Sequence, residues 1–200
     1  MKRVVLNLII VIIAVSAVFT CKKDNDEAYI VSGVISSPYI SNWADVSVSV
    51  SFDEGETWSA TAKILKGEFS IKLPMPDERN LETISSVFPD GLNTSDNSVK
   101  ICEAKFFVRK DDQKGVLVPY TVGYFYVDKD LLLLGTHVQT FVEGKMSSTS
   151  IYELALRKGW NVVVYEFAEQ TPTDHSTKYI YTTHQSPAPS DVVWLTYVRW

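Results

Sequence analysis

From residue 29 onward apolar and polar residues alternate along the chain with a period of two, and no run of apolar positions recurs at helical spacing. Val46, Val48, Val50 and Phe52 alternate with Ser47, Ser49 and Ser51, as a half-buried antiparallel strand does. Strand-like stretches at 57–64 and 68–73, divided by Lys66 and Gly67, join 28–35 to predict a four-stranded N-terminal meander, 28–73, ending at Pro74. The stretch 74–97 is an irregular connection, rich in Pro, Asn and Asp, with room for one short helix at 81–88. A C-terminal β-sheet unit follows at 98–200, with strands at 99–109, 116–127, 131–135, 137–142, 148–156, 160–167, 178–183 and 192–200. Arg157, Lys158 and Gly159 mark a hairpin between two of them. The total is about eleven strands. The expected fold is therefore all-β, an antiparallel β-sandwich, and the pattern leaves open one shared core or two packed β subdomains.

The first twenty residues stand apart. Lys2 and Arg3 precede an apolar run from 4 to 19, broken only by Asn7 and Ser16 and stopped by charge from Lys22 onward. This has the shape of a secretory signal peptide, 1–20, and is short for a spanning helix of about 20 residues, although an uncleaved anchor is the competing reading. Val18, Phe19 and Thr20 before Cys21 resemble a lipobox, and Lys22, Lys23, Asp24, Asn25, Asp26 and Glu27 resemble the export signal of Bacteroidota surface lipoproteins. The resemblance implies a lipidated Cys21, a tether at 21–27, and an outer-membrane location on the periplasmic or outer face. Only Cys102 remains as a second cysteine; it reads as a small buried hydrophobe, with a Cys21–Cys102 disulfide as the alternative.

The 46% apolar content suffices for a core, and removal of Lys2 and Arg3 leaves 17 basic against 24 acidic residues, a net charge of −7. Nucleic-acid binding through global charge is thereby excluded.

The sharpest motif is the Ser-Phe-Asp-Glu-Gly-Glu-Thr-Trp run at 51–58, which fits the Asp box of bacterial sialidase repeats. Asp53 can accept turn amides, Gly55 can take positive φ, and Trp58 can pack over the hairpin, so these three are read as structural turn residues. A single copy does not make a propeller, which needs about forty residues per blade. Nor do Arg79, Arg109, Arg157 and Arg199 suggest the arginine triad of those enzymes. His137, His175 and His184 lack metal-ligand spacing, so no metal is expected. Asp53, Glu54 and Glu56 read as a solvated tip rather than a calcium site. No nucleophile elbow, zinc-binding helix motif, phosphate loop or Cys pair appears, and no cofactor is expected.

Aromatics are the remaining candidates for binding. Tyr124 and Tyr126 share one strand face, as do Tyr179 and Tyr181, and Trp194 lies in the terminal strand. Such side chains stack on sugars and anchor interfaces, but they also fill cores. The runs Gly-Tyr-Phe-Tyr-Val-Asp at 123–128, Leu-Arg-Lys-Gly-Trp-Asn-Val-Val at 156–163 and Val-Trp-Leu at 193–195 together resemble a family of Bacteroidota lipoproteins that carries no assigned activity. The expectation for function is thus a cell-envelope lipoprotein, held at the membrane through Cys21. It would act as a non-catalytic binding module for a glycan or an envelope protein. The alternative is a small secreted-type hydrolase acting on glycans through an unidentified carboxylate pair.

Overall fold

The computed structural model describes residues 29–37, 40, 42–119, 121–141, 146–170, 177–185 and 192–196, without the side chains at 141, 146, 147, 167–170, 177–185 and 193. The fold is all-β. Apart from one 3-10 turn at Glu78–Asn80 and the four-residue helix α1 at Ile84–Val87, the regular structure of the described residues is strand.

The first sheet is built from β1 (Tyr29–Ser36), β2 (Ser47–Ser51), β3 (Ala60–Lys63), β4 (Glu68–Leu73), β8 (Lys105–Lys110), β9 (Gln113–Pro119) and β15 (Val193–Leu195), in the order β3-β2-β8-β9-β15-β1-β4. Its two edges, β3 and β4, are consecutive in the chain. Leu65 and Glu68 exchange both backbone hydrogen bonds, at 2.9 and 3.0 Å, across Lys66 and Gly67, whose φ of 55° and 87° suit a type I′ turn. That turn obliges the sheet to curl until its edges meet. The expected meander is corrected here: β1 pairs with β4 and β15, not with β2.

The second sheet comprises β5 (Glu82–Thr83), β6 (Asn93–Thr94), β7 (Lys100–Glu103), β10 (Val122–Val127), β11 (Leu131–Phe141), β12 (Met146–Leu156), β13 (Gly159–Gln170) and β14 (Thr177–Gln185), in the order β5-β7-β10-β13-β14-β12-β11-β6. Both edges belong to the irregular connection. Glu82 and Thr83 pair with β7, Asn93 and Thr94 pair with β11, and between them Ile84 of the helix and Phe88 just after it pack beneath the sheet. The connection is a strap joining the two edges.

The described residues therefore hold fifteen strands rather than about eleven. Strap pairings supply β5 and β6, while the expected strands at 99–109 and 116–127 each divide where the chain passes from one sheet to the other. Gly135 does not break β11, as its position suggested. It lets the strap cross closely, since a Cβ there would stand 3.0 Å from Leu92 Cδ2. The sheets are also not purely antiparallel: β1 runs parallel to β15 and β12 to β14. The second pair arises because β14 enters between β12 and β13, so the expected hairpin at 157–159 is a tight turn whose arms are separated by a third strand.

Two cores result. Val31, Val48, Phe69, Ile71 and Phe106 of the first sheet pack with Val122, Tyr124, Val162 and Val164 of the second, so strands from 28–73 and 98–200 share one core. On the opposite face of β10 and β13, Phe125 and Val163 pack with Leu131, Leu133, Leu154 and Leu156.

Candidate functional site

The hairpin from β2 to β3 folds around Ser51, which is fully buried. The Ser51 hydroxyl donates to Asp53 Oδ1 at 2.7 Å and accepts the amides of Asp53 and Gly55 at 3.1 and 2.8 Å. Asp53 in turn accepts the Thr57 amide at 2.9 Å on Oδ1 and the Thr57 hydroxyl at 2.6 Å on Oδ2. The Thr57 and Ser51 hydroxyls hold its carboxyl far below the usual carboxylate range, because these bonds favour the charged form. Glu54 and Gly55 both adopt positive φ, 59° and 79°. Gly55 is buried, and a Cβ there would lie 3.0 Å from Phe107 Cζ.

Neighbouring strands brace this turn. Lys105 pairs with Glu54, and Lys114 Nζ donates to Gly55 O at 2.8 Å. Trp58 meets Phe107 edge to face at 5.4 Å, and the Arg109 guanidinium lies 4.4 Å from its ring centre.

Beside the hairpin opens a cleft of about 300 Å³. Phe52, Thr57, Trp58 and Ser59 form one wall, and Pro74, Met75, Asp77, Arg79 and Asn80 the other. Phe52 packs on Trp160 at 5.9 Å, and Trp160 Nε1 donates to Pro74 O at 3.2 Å, so β13 fixes the spacing of the two walls. Asp77 and Arg79 form an exposed ion pair at 3.4 Å. The cleft thus offers an indole and a phenyl ring beside hydroxyl, amide, carboxylate and guanidinium groups.

The residues singled out in the sequence have separate fates. Asp53, Gly55 and Trp58 come together at this hairpin, and Trp58 is also a wall of the cleft. Tyr126 is half-buried behind it, edge-on to Trp160 at 5.7 Å. Tyr124 and Trp194 are core residues, stacked on each other at 6.0 Å and closed to a surface ligand; the first core needed aromatic volume there. Tyr179 and Tyr181 lie on β14 opposite Ser148 and Ser150, but their side chains, like Cys21, fall outside what is described. No group of three His, Cys, Asp or Glu is placed to hold a metal among the described residues. Burial raises the pKa of Glu103, yet Glu103 does not line the cleft.

Sequence reasoning missed two features. The first is the central role of Ser51, hidden because an alternating serine reads as a wet strand face. The second is the wall at 74–80, for which the long connection was the available signal. Comparison of the chain with protein-family models, with curated proteins and with solved structures finds no match in any of the three.

Proposed function

We propose that the protein is a cell-envelope lipoprotein, anchored at the outer membrane through Cys21, whose β domain is a non-catalytic module that binds a glycan in the cleft between Trp58 and Arg79. The observation that carries the reading is the composition of that cleft. Aromatic surface beside a dense set of hydrogen-bonding side chains matches the alternation of apolar C–H faces and hydroxyls on a pyranose. The signal-like start and the residues around Cys21 support the anchor.

The reading predicts that Arg79→Ala and Asn80→Ala, both remote from the cores, abolish retention on an oligosaccharide array without lowering the melting temperature. Unchanged retention by both variants overturns it, and turnover of chromogenic glycosides without retention favours a hydrolase instead. Palmitate labelling that is equal in wild type and Cys21→Ala removes the anchor.

A further inference from the structure

Trp58 borders a second feature, on the outer face of the first sheet. Ser47 of β2 stands opposite Lys63 of β3 and Arg109 of β8, and Arg109 stands opposite Lys114 of β9. Directly opposed residues of antiparallel strands project to one face, so Lys63, Arg109 and Lys114 form a row of cations across four strands. Arg109 and Lys114 are like charges in direct opposition, an arrangement that repels. No carboxylate lies within ion-pair distance of any of the three among the described residues. The adjacent row is uncharged, with Thr61 bonded to Ser49 at 2.9 Å and Phe107 beside them. At the hairpin tip Asp53 is engaged by Thr57, and Glu54 by Lys105. A chain of net charge −5 has thus gathered three cations without an ion-pair partner in one row, next to Asp111 and Asp112 in the turn between β8 and β9.

That place is continuous with the cleft. The Arg109 guanidinium covers the Trp58 ring at 4.4 Å, and Lys114 Nζ lies 5.7 Å from the same ring. A guanidinium stacked on an aromatic ring keeps its N–H edge free for a planar anion. The geometry points to an acidic saccharide as the ligand: a carboxylate or sulfate group held by Arg109, Lys114 and Lys63, with the neighbouring sugar unit in the cleft along Trp58. This deepens, and rests on, the reading of the cleft as a glycan site.

The test is calorimetric titration of the full chain with oligogalacturonate and with its methyl ester, which keeps the sugar backbone and removes the charge. The charged ligand is expected to bind at least about tenfold more tightly, with the advantage shrinking as salt rises from about 0.05 to 0.5 M. Lys63→Gln and Arg109→Gln should each remove most of that advantage. Lys100→Gln, an exposed cation lost from β7 of the second sheet, should not. Lys63 is exposed, so its variant remains informative if Arg109→Gln lowers stability. Equal affinity for ester and acid, or full affinity in both variants, overturns the charge inference and leaves the cleft reading standing. Binding of neither ligand overturns the acidic-saccharide assignment, while the cleft reading is decided by the Arg79 and Asn80 variants on the oligosaccharide array. Equal binding of anionic phospholipid vesicles or duplex DNA shows a general anion surface and overturns the saccharide assignment.

Discussion

Gly33 on β1 is the seat of Trp194 on β15: a Cβ at residue 33 would stand 2.1 Å from the indole Nε1 and 2.3 Å from Cδ1. The indole is fully buried, with Phe69 at 5.0 Å and Phe106 at 4.8 Å edge-on to it, so it cannot withdraw. A three-residue strand therefore supplies the largest fully buried side chain, and one missing side chain makes the space.

Gly33→Ala should destabilise the fold by about 1–3 kcal/mol, the range for overpacking a filled core. Combined with Trp194→Phe, which shortens the clashing edge, part of that loss should be recovered. Urea unfolding of the four species measures the coupling. Additive losses would show that residue 33 and the indole are independent.

Ser51→Ala leaves the Gly55 and Asp53 amides without their acceptor while removing little volume. Because the hydroxyl is buried, the cost should be about 1–3 kcal/mol. Trp58→Ala should cost about 2–3 kcal/mol, below the value for a fully buried indole, because the ring is only half-buried. Thermal melts rank the two. A neutral Ser51→Ala would deny the serine its place at the centre of the turn.

The alternation of β2 and β4 was legible because one face of each meets the core and the other is polar; Phe69, Ile71 and Leu73 point inward from β4 while Glu68, Ser70 and Lys72 face water. The same reasoning lost its hold at β10 and β13. Phe125 and Val163 pack into one core while Tyr124 and Val162 pack into the other, so burial on both faces erases the period. Pairings between distant segments were invisible for a different reason: nothing local to residues 82–94 says that their partners are β7 and β11, or that β14 will separate β12 from β13. The candidate site divides in the same way. Asp53, Gly55 and Trp58 were found because their spacing is a local turn requirement. Asp77, Arg79 and Asn80 were not, because they become neighbours of Trp58 only in the folded chain, where Trp160 also donates to Pro74.

Asp53 gives the fold a defined acid response. Its folded pKa lies below the unfolded value of about 3.9, so its contribution is complete above that pH and is lost as pH falls from there through the folded pKa. Asp53→Asn should therefore lower the melting temperature at pH 7, with the gap to wild type closing in strongly acid solution. Asp96 and Asp130 are also held low by hydrogen bonds, but they are common to both proteins and cancel in the difference. A gap independent of pH would mean that the carboxylate charge contributes nothing.

Asn161 is the buried residue that locks the turn before β13. Its amide nitrogen donates to Arg157 O at 2.7 Å and Gly159 O at 2.8 Å, and its oxygen accepts the Arg157 amide at 2.9 Å. Asn161→Ala should cost about 3 kcal/mol, since several backbone groups lose their partner at once. Asn161→Asp should be worse at neutral pH, because it loses both donors and sets a carboxylate against two carbonyl oxygens. It should improve as acid protonates that group. Chemical denaturation at pH 7 and pH 4 separates the variants, and an aspartate no worse than alanine at pH 7 would contradict the assigned donor directions.

Cys102 is 3% exposed, and its thiol is pushed up to about 12 by burial first and by Glu82 and Glu103 second. A thiolate, not a thiol, is the nucleophile, so at pH 8 only about one molecule in ten thousand carries the reactive form. In a Cys21→Ala background, where Cys102 is the single cysteine, iodoacetamide should leave the folded protein unmodified over hours at pH 8. In concentrated urea the residue regains the ordinary cysteine value of about 8.5 and should be alkylated within minutes. Mass spectrometry of the two samples reads the difference. Rapid alkylation of the folded protein at pH 8 would place the thiol in an accessible, electropositive setting, which its burial and the neighbouring carboxylates deny it.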